Sequence, residues 1–509
     1  MSAFNEYFQS TVDQRVVKIY GGAGTGKTSY LLTKIGEELE RGVNISQIVF
    51  LGYTRASCQE ALSRISKVLY KTEENALNSN EVPKGLWFHT IHALSLRLLM
   101  RTGFFKDYKI VNWKNRKDFC DSVGLKSPDY DEEIVSSEQI SEGSAFYSII
   151  SYLVNTFRTP EQYRECDFTE DLHDKDFLDL YNRWLLYKSS KNLLDFDDLL
   201  TQMYKRSLTV YAKVLFVDEF QDCSPLQVAI IKRLMLGKER VYIAGDADQA
   251  LYRFQGAEPE LMLDFPVNDT VVLPQSYRCP RKVFNRAQYY ISQNQRRYPA
   301  KILPKDAEGE YSVLLYPSIR DLSRLLKVYI LYGKTYLLLR TNWLVSKLSW
   351  QLADEKILFR YLDKKKDGSF GWNDNKLSII NDVLSKGDYT EKLIRLNSIE
   401  RNTKMSNGTY SFLSRYLYLT KPINPDSIKT FIGTIHSAKG REAETVLLFD
   451  DVTRRVLNGM NTDQGLEDER RIWYVGMTRA KERLVIVNNF FHDFSTVSLN
   501  LPIELRNIK

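Results

Sequence analysis

A glycine-rich octapeptide near the N-terminus constrains the fold of this chain more than any other feature. Residues 21–28 form the sequence Gly-Gly-Ala-Gly-Thr-Gly-Lys-Thr, which fits the pattern G-x-x-x-x-G-K-[ST]. The apolar run 16–20 before it predicts a short buried strand, and residues 29–40 after it predict a helix. Such a strand, loop and helix suit a phosphate group, because the glycines let backbone N–H groups converge and the helix N-terminus adds partial positive charge. The expected fold is therefore α/β with a parallel sheet.

The side chains of this loop predict a site for a nucleoside triphosphate and Mg²⁺. Lys27 is expected to reach the β and γ phosphates, and Thr28 is expected to ligate the metal. A glycine-rich turn without a ligand is the alternative, but packing gives no reason for Lys-Thr at this spacing. The predicted nucleotide-binding residues of the loop are Gly21, Gly22, Ala23, Gly24, Thr25, Gly26, Lys27, Thr28 and Ser29.

Two further apolar runs end in polar residues that suit the same chemistry. Residues 213–217 predict a buried parallel strand that presents Asp218 and Glu219 at its carboxyl end. Asp218 is predicted to hold Mg²⁺ through water, and Glu219 to polarise the attacking water. Residues 241–245 predict another strand leading to Gln249, a candidate sensor of the γ phosphate. Solvated acids at a helix start and a plain Gly-Asp turn are the alternatives.

Length and composition set wider bounds. A chain of 509 residues suits about two to four domains. The net charge of +7 permits a nucleic-acid partner but does not demand one. The five cysteines form no C-x-x-C pattern, and no apolar run is long enough to span a membrane, so we expect a cytoplasmic protein in a reducing environment.

The motifs together resemble those of the UvrD/Rep/PcrA family of superfamily 1 DNA helicases. They occur in the order that this family has, and they cover residues 21–480. Besides the loop, the similar segments are 50–56, 88–92, 194–200, 218–222 with Gln227, 245–257, 275–278, 434–442 and 469–480.

The resemblance implies two RecA-like P-loop NTPase cores with parallel sheets, each interrupted by an inserted, mainly helical subdomain, with ATP and Mg²⁺ bound in the cleft between the cores. Tyr277 would stack on adenine, and Glu442 would touch the ribose. Arg278 and Arg479 would reach the γ phosphate from the second core as arginine fingers. With Lys27, Glu219 and Gln249, these two arginines complete the set predicted to act in hydrolysis.

The resemblance also implies a track for single-stranded DNA and for junctions of single- and double-stranded DNA. Aromatic rings on such a track stack on bases of any sequence. Core packing or helix capping is the alternative for each residue. The predicted DNA-binding residues are Tyr53, Thr54, Arg55, Thr90, His92, Tyr252, Phe254, Thr434 and His436.

Motif positions predict the domain boundaries. Residues 1–92 and 200–274 are expected to form the first core, and 93–199 its helical insertion. Residues 275–360 and 425–509 are expected to form the second core, and 361–424 a reduced insertion that includes the basic run 364–366. Ser29 stands where relatives often carry arginine, Phe254-Gln255 where they carry Trp-Arg, and Gln9 is an unclear candidate for selecting adenine.

Three functions remain open at this stage. The first is an ATP-dependent DNA helicase, a hydrolase moving 3′ to 5′ on single strands, where the polarity rests on the resemblance alone. The second is a translocase that strips proteins from DNA with little unwinding. The third is an ATPase subunit that gates partner proteins in replication, repair or defence. RNA as the track is a less favoured variant.

Overall fold

The computed structural model describes residues 14–70, 86–128, 140–166, 168–172, 176–362, 374–403, 407–491 and 496–499. These residues form two compact units. The first unit contains the described residues within Met1–Tyr130, Ile140–Tyr277 and Gln295–Leu303. The second contains those within Arg278–Asn294 and Pro304–Lys509.

Strands and helices alternate along much of the chain. The strands are β1 (Arg15–Gly21), β2 (Ile48–Leu51), β3 (Trp87–His89), β4 (Lys109–Ile110), β5 (Leu193–Leu194), β6 (Val214–Val217), β7 (Arg240–Gly245), β8 (Asp269–Leu273), β9 (Gln275–Pro280), β10 (Leu303–Lys305), β11 (Glu310–Leu315), β12 (Thr335–Leu339), β13 (Arg360–Tyr361), β14 (Thr430–Thr434), β15 (Ala443–Phe449), β16 (Asp451–Thr453), β17 (Ala480–Asn488) and β18 (Thr496–Ser498). The helices are α1 (Lys27–Glu40), α2 (Arg55–Tyr70), α3 (Ile91–Arg101), α4 (Trp113–Val123), α5 (Glu142–Asn155), α6 (Phe177–Ser190), α7 (Phe196–Lys205), α8 (Pro225–Met235), α9 (Glu260–Leu263), α10 (Arg281–Ile291), α11 (Ile319–Tyr329), α12 (Asn342–Asp354), α13 (Asp374–Leu384), α14 (Tyr389–Thr403), α15 (Asn407–Ser414), α16 (Arg454–Gly459) and α17 (Asp463–Met477).

The first unit is built on a parallel sheet with the strand order β3-β2-β6-β7-β1-β8. Strand β1 carries the glycine-rich loop at its end, and β7 separates it from β6, which carries the acids. Because all strands run in the same direction, their carboxyl ends lie at one edge of the sheet. The residues after β1, β6 and β7 are therefore brought together there.

Both faces of this sheet are buried, which explains the unbroken apolar runs in the sequence. Leu215 and Val217 pack into a hydrophobic core on one face together with Leu226 and Ile230 of α8. Val214 and Phe216 pack into a separate core on the other face, with Leu31 and Ile35 of α1. Successive residues of β6 thus belong to the hydrophobic cores on opposite faces of the sheet.

Residues 91–205 contain helices α3 to α7 and the short parallel pair β4–β5. Aromatic side chains form the interior of this region: Phe119 stacks on Phe146, and Trp184 contacts Phe119 edge to face. Helix α6, which carries Trp184, extends from Phe177 to Ser190.

The second unit has its own parallel sheet, in the order β11-β17-β15-β12-β14-β13. Leu337, Ile432 and Leu447 are fully buried in its core. The two parallel sheets flanked by helices confirm the α/β class with two RecA-like cores.

The segment 361–424 is described in part, and the basic run 364–366 lies outside the described residues, as does Gln9. Helices α13, α14 and α15 fill the described part. Ile380 and Phe412 join the same hydrophobic core as Leu337 of the sheet. These helices are therefore packed onto the second sheet.

None of the helices that the structure describes is both long enough and apolar enough to cross a membrane.

Candidate nucleotide and nucleic-acid sites

The backbone of the glycine-rich loop has a compact conformation that depends on glycine. Gly24 and Gly26 have φ angles of 71° and 82°, in the left-handed region that favours glycine. A Cβ atom on Gly21 would lie 2.3 Å from the Oγ1 of Thr25. Helix α1 begins at Lys27, so its first N–H groups point toward the loop.

The side chains of Lys27 and Thr28 connect this loop to the neighbouring strands. Lys27 is buried, and its Nζ donates to the carbonyl oxygen of Gly21 at 2.7 Å. The Oγ1 of Thr28 donates to the Oδ2 of Asp218 at 2.7 Å. The fold thus places the predicted phosphate-binding and metal-binding residues in one cluster.

The two acids after β6 have distinct environments. Asp218 is 3% exposed, and burial, followed by the charge of Glu219, raises the pKa of its carboxyl to about 6. Glu219 has a φ of 56°, which is rare for a residue with a side chain, and its N–H donates to the Oδ1 of Asp218 at 3.0 Å. The left-handed conformation turns the backbone sharply at Glu219, two residues after β6 ends.

The cluster fits Mg²⁺, which prefers oxygen ligands and is often held by one carboxylate, waters and the phosphates of a substrate. Thr28 and Asp218 supply a hydroxyl and a carboxylate within hydrogen-bond distance of each other. Within the described ranges, no group of three or more His, Cys, Asp or Glu side chains forms a metal site of its own.

Gln221 links the acid end of β6 to the end of β7, a role that sequence reasoning missed. Its Nε2 donates to the Oε2 of Glu219, and its Oε1 accepts from the N–H of Asp246 at 2.9 Å. The carboxylate of Asp246 in turn accepts from Gln249 at 2.6 Å and from the Tyr20 hydroxyl at 3.1 Å. A continuous chain of hydrogen bonds therefore runs from Glu219 to Gln249.

Strand β9 begins against the glycine-rich loop. The hydroxyl of Ser276 donates to the carbonyl oxygen of Ala23 at 2.7 Å, and the N–H of Tyr277 donates to the carbonyl oxygen of Gly24 at 2.9 Å. The Tyr277 side chain is 72% exposed. An exposed ring held by its backbone next to the loop suits the predicted stacking on adenine, which stays a prediction.

In the second unit, Arg278 and Glu442, for which separate roles were predicted, form an ion pair. The Nε of Arg278 lies 2.7 Å from the Oε2 of Glu442. Burial acts to raise the pKa of Glu442, but the hydrogen bond and charge of Arg278, with Lys481, leave it below its ordinary value. Glu442 is therefore an anion that holds Arg278 in place.

Arg479 lies in the turn between α17 and β17, two residues after the helix ends. Helix α17 ends at Met477, and the Nε of Arg479 donates back to the carbonyl oxygen of Val475 at 2.9 Å. The side chain is 2% exposed. This arginine caps the end of the helix, where carbonyl groups attract a cation.

The aromatic DNA candidates of the first unit form one surface. Tyr53 stacks on Tyr252 with ring centroids 5.0 Å apart and an angle of 24°. Tyr252 contacts Phe254 at 6.2 Å with a tilted geometry. All three side chains are half-buried, so parts of their rings face solvent. We name these three residues the aromatic platform.

The other candidates of the first unit include two helix caps. The Oγ1 of Thr54 accepts from the N–H of Ser57 at 3.1 Å, and that of Thr90 accepts from Ala93 at 3.3 Å. Arg55 is exposed. Burial lowers the pKa of His92 to about 4, so this side chain is a neutral hydrogen-bonding group at pH 7. Contacts of these residues with DNA stay predictions.

Thr434 and His436 lie at the end of β14 in the second unit. Thr434 is buried, and its Oγ1 accepts from the N–H of Ser437 at 3.2 Å. His436 begins a short 3₁₀ turn that ends at Ala438. The hydroxyl of Thr434 therefore shapes the turn, and its predicted phosphate contact is not tested by this geometry.

A buried polar network, also missed from the sequence, connects helices α5 and α7 to the segment after the acids. The carboxylate of Asp197 accepts from Ser151 at 3.1 Å and from the Nδ2 of Asn155 at 2.8 Å. The Oδ1 of Asn155 accepts from Ser224, the cap of α8, at 2.9 Å. Burial, followed by the charge of Asp195, raises the pKa of Asp197 to about 7.

The fold and the cluster around Lys27, Thr28 and Asp218 define a P-loop nucleoside-triphosphate-binding protein with two α/β units. The UvrD/REP helicase N-terminal domain matches residues 5–268, and the UvrD-like helicase C-terminal domain matches residues 378–489. The first match covers more than half of the chain. The protein therefore belongs to the UvrD/Rep helicase family, whose members are DNA-dependent ATPases that unwind DNA.

Relatives extend this similarity over most of the chain. The ATP-dependent DNA helicase PcrA of Staphylococcus epidermidis (strain ATCC 35984) is 23% identical over 616 residues, which cover 92% of this chain and 81% of that protein. PcrA of Staphylococcus aureus (strain Mu50) is 26% identical over 310 residues, which cover 57% of this chain and 40% of that protein.

Among solved structures, an Arterivirus nonstructural protein 10 (helicase) has 13% identity and a TM-score of 0.32. The match covers 94% of this chain and 60% of that one. This likeness is too slight to bear on the fold.

Proposed function

We propose that this protein is an ATP-dependent DNA helicase that moves 3′ to 5′ along single-stranded DNA and couples ATP hydrolysis to the unwinding of duplex. The observation that carries the proposal is the chain of hydrogen bonds from Glu219 through Gln221 and Asp246 to Gln249. Gln249 lies three residues before Tyr252 of the aromatic platform. Changes at the nucleotide therefore have a short path to the bases.

In this proposal, the residues of the glycine-rich loop bind the triphosphate. The backbone N–H groups at the start of α1 and the ammonium of Lys27 attract the phosphate oxygens, while Thr28 and Asp218 hold Mg²⁺. The bound metal neutralises charge on the phosphates. Glu219 accepts a proton from the attacking water, and the hydrogen bond from Gln221 keeps its carboxylate oriented for that step.

Residues of the second unit complete the proposed hydrolysis site. Arg278 and Arg479 supply guanidinium groups to the γ phosphate, and Tyr277 of the first unit stacks on the base. Hydrolysis then removes the charge that these arginines contact, and this change drives movement along the strand. The 3′ to 5′ polarity rests on the family resemblance.

On the DNA side, the aromatic platform binds bases by stacking, worth roughly 1–3 kcal/mol per base. Because stacking does not depend on which base is present, it suits a motor that moves along DNA of any sequence. We place Thr54, Arg55, Thr90, His92, Thr434 and His436 along the phosphate backbone. An intracellular location fits this substrate and the five buried cysteines, none of which forms a disulfide.

The experiment that tests this function is strand displacement on duplexes with either a 3′ or a 5′ single-stranded tail. We expect ATP-dependent unwinding from the 3′ tail and none from the 5′ tail. Lys27→Ala should abolish hydrolysis and unwinding, because the phosphates lose their nearest cation. A matched control, Lys327→Ala, removes an exposed lysine from α11 of the second unit and should behave as wild type.

Other outcomes separate the alternatives. DNA-stimulated hydrolysis without displacement from either tail would indicate a translocase or a subunit of a larger replication, repair or defence complex. Unwinding from the 5′ tail would overturn the polarity. Normal turnover in Lys27→Ala would remove the assignment of the nucleotide site.

A further inference from the structure

A cavity of about 310 Å³ lies in the first unit, away from the nucleotide cluster. Trp87, which lines it, begins strand β3, whereas the glycine-rich loop follows the end of β1 in the same parallel sheet. The cavity therefore lies at the edge opposite to the nucleotide loop and to the aromatic platform. No residue of the proposed helicase mechanism contributes to it.

Two guanidinium groups cover the ring of Trp87 at this cavity. Arg97 lies 4.7 Å from the ring centroid and Arg101 lies 4.4 Å from it. In the described part of the chain, neither arginine has a carboxylate within ion-pair distance; Arg97 instead contacts the Leu86 carbonyl at 2.7 Å and the Nε2 of His89 at 2.6 Å. The local positive charge is thus left without a balancing acid.

The electrostatics of these groups favour an added anion. Burial, followed by the charge of Arg101, lowers the pKa of Arg97. Burial and the charges of both arginines lower the pKa of His89 to about 4. The two guanidinium groups therefore repel one another, and a carboxylate between them would relieve that repulsion.

More cations flank the loop that forms the far wall of the cavity. Arg206 lies 4.1 Å from the ring of Phe104, and Arg233 lies 4.2 Å from the ring of Tyr204. Among the residues that the structure describes, these two arginines also have no carboxylate within ion-pair distance. The cationic surface thus extends beyond the cavity itself.

The walls of the cavity are largely apolar. Leu98 and Val210 are buried, Leu208 is half-buried, and the ring of Tyr211 at the rim is 92% exposed. The ring of Trp87 is 7% exposed and lies beneath the arginines, so it offers no open face for stacking a base. Of the two aromatic rings that line the cavity, only that of Tyr211 has an open face, whereas single-stranded nucleic acid is bound by several aromatic faces in succession along a groove.

We propose that this cavity binds an acidic segment of a partner protein. One apolar side chain of the segment, of about the size of leucine, enters between Leu98 and Leu208. An adjacent carboxylate of the segment accepts hydrogen bonds from Arg101, in the paired geometry that a guanidinium provides. Clusters of arginine are a recurrent means of recognising acidic motifs.

The test is the binding of a fluorescein-labelled peptide, Glu-Asp-Leu-Asp-Leu, to the full-length protein, followed by fluorescence anisotropy. The control peptide, Gln-Asn-Leu-Asn-Leu, has the same shape without the side-chain carboxylates. We expect the acidic peptide to bind at least tenfold more tightly than the control. Arg101→Gln should remove most of that difference, while Arg324→Gln, which removes an exposed arginine of the second unit, should leave it intact.

A second variant keeps the test decisive if Arg101→Gln does not fold. Leu208→Asp places a carboxylate in the apolar wall, and it should weaken binding of the acidic peptide at least tenfold. A single-stranded oligothymidine should not compete with the peptide. Equal binding of the two peptides, unchanged affinity in the variants, or full competition by the oligonucleotide would each overturn the proposal, the last by assigning the cavity to nucleic acid.

Discussion

At the scale of single residues, three features position Glu219 for its proposed role as the catalytic base. Its backbone turns through the left-handed region, its carboxylate accepts from Gln221, and it follows a residue whose own carboxyl bonds to Thr28. The carboxylate is therefore directed by the backbone and held by a neighbour. Strained backbone of this kind is common at active sites.

Glu219→Gln should abolish turnover while leaving the binding of ATP and Mg²⁺ close to that of wild type. The amide keeps the shape of the side chain and can still accept from Gln221, but it cannot accept the proton of water. We would measure nucleotide affinity by equilibrium binding and hydrolysis in a single turnover. A loss of binding together with turnover would show that Glu219 holds the metal, and Glu239→Gln, an exposed change, provides the control.

Asp197 should make the stability of the first unit depend on pH. Its pKa is about 7 in the folded protein against an ordinary value of 3.8, so folding takes up a proton between these values. The stabilisation from this group is complete below pH 3.8 and is lost as the pH rises through 7. Asp197→Asn should therefore raise the Tm at pH 8 by roughly 2–4 °C for each kcal/mol recovered.

The measurement is thermal unfolding of wild type and Asp197→Asn between pH 5.5 and pH 8.5. The advantage of the variant should shrink toward pH 5.5, where Asp197 already carries its proton. Asp107→Asn, an exposed change, should show no such trend. A difference in Tm that stays constant over this range would mean that Asp197 does not titrate there.

At the scale of elements, β7 and the segment after it connect the nucleotide cluster to the aromatic platform. Strand β7 ends at Gly245, where a Cβ atom would lie 2.5 Å from the Oε1 of Gln221. The segment then passes through Gln249 and Tyr252 to Gly256, which has a φ of 89°. At Gly256, a Cβ atom would lie 3.0 Å from Thr156, just after α5. Both ends of the segment are thus fixed by close packing.

Phe254→Ala should weaken the stimulation of hydrolysis by DNA and slow translocation, while basal hydrolysis stays largely intact. The ring lies at the end of the platform, beyond the hydrogen-bonded chain that reaches the nucleotide. We expect a loss of roughly 1–3 kcal/mol of DNA binding, measured by titration with oligothymidine beside the steady-state ATPase rate. Tyr389→Ala, which removes an exposed ring from the second unit, is the control. Unchanged translocation speed would assign Phe254 to packing.

Sequence patterns predicted the elements that carry strong local signals. The loop 21–28 and the apolar run before Asp218 identified β1, α1 and β6, because buried parallel strands and phosphate loops have short, characteristic patterns. The turn that holds Arg479 was missed, because the apolar period of α17 does not mark where the helix stops. Helix ends depend on local capping, here by the guanidinium itself.

The long-range polar contacts were not predictable in the same way. Asn155 and Ser224 are 69 residues apart, and Gln221 and Asp246 are 25 apart. Neither pair has a periodicity that would connect its members. The sequence did single out the segment that contains Gln221, which lies two residues after Glu219. A glutamine at that position, however, gives no indication of which residue it will contact.

At the scale of the whole molecule, hydrolysis is proposed to need residues from both units. Arg479→Lys should reduce turnover severely, because a guanidinium meeting charge on the γ phosphate contributes about 10³–10⁵ in rate in analogous reactions and an ammonium lacks its planar geometry. ATP affinity should fall less than turnover, since the contact is strongest in the transition state. DNA binding without nucleotide should survive.

Single-turnover hydrolysis and nucleotide-free DNA affinity, measured on one preparation, would test this. Because Arg479 also donates to Val475, thermal unfolding must accompany both measurements. Arg324→Lys, an exposed arginine of α11, is the matched control. Normal turnover in Arg479→Lys, or the loss of DNA binding by a folded variant, would contradict the proposed role.

The amide of Gln221 also has a consequence for how this sequence can diverge. Its NH₂ group faces an acceptor, Glu219, and its oxygen faces a donor, the backbone N–H of Asp246. A glutamate at position 221 would place a second carboxylate against that of Glu219, and a proline at position 246 would remove the N–H donor. Lineages that depart from one of these residues should therefore show compensating changes at the others, and isolated substitutions at position 221 should be rare among active descendants.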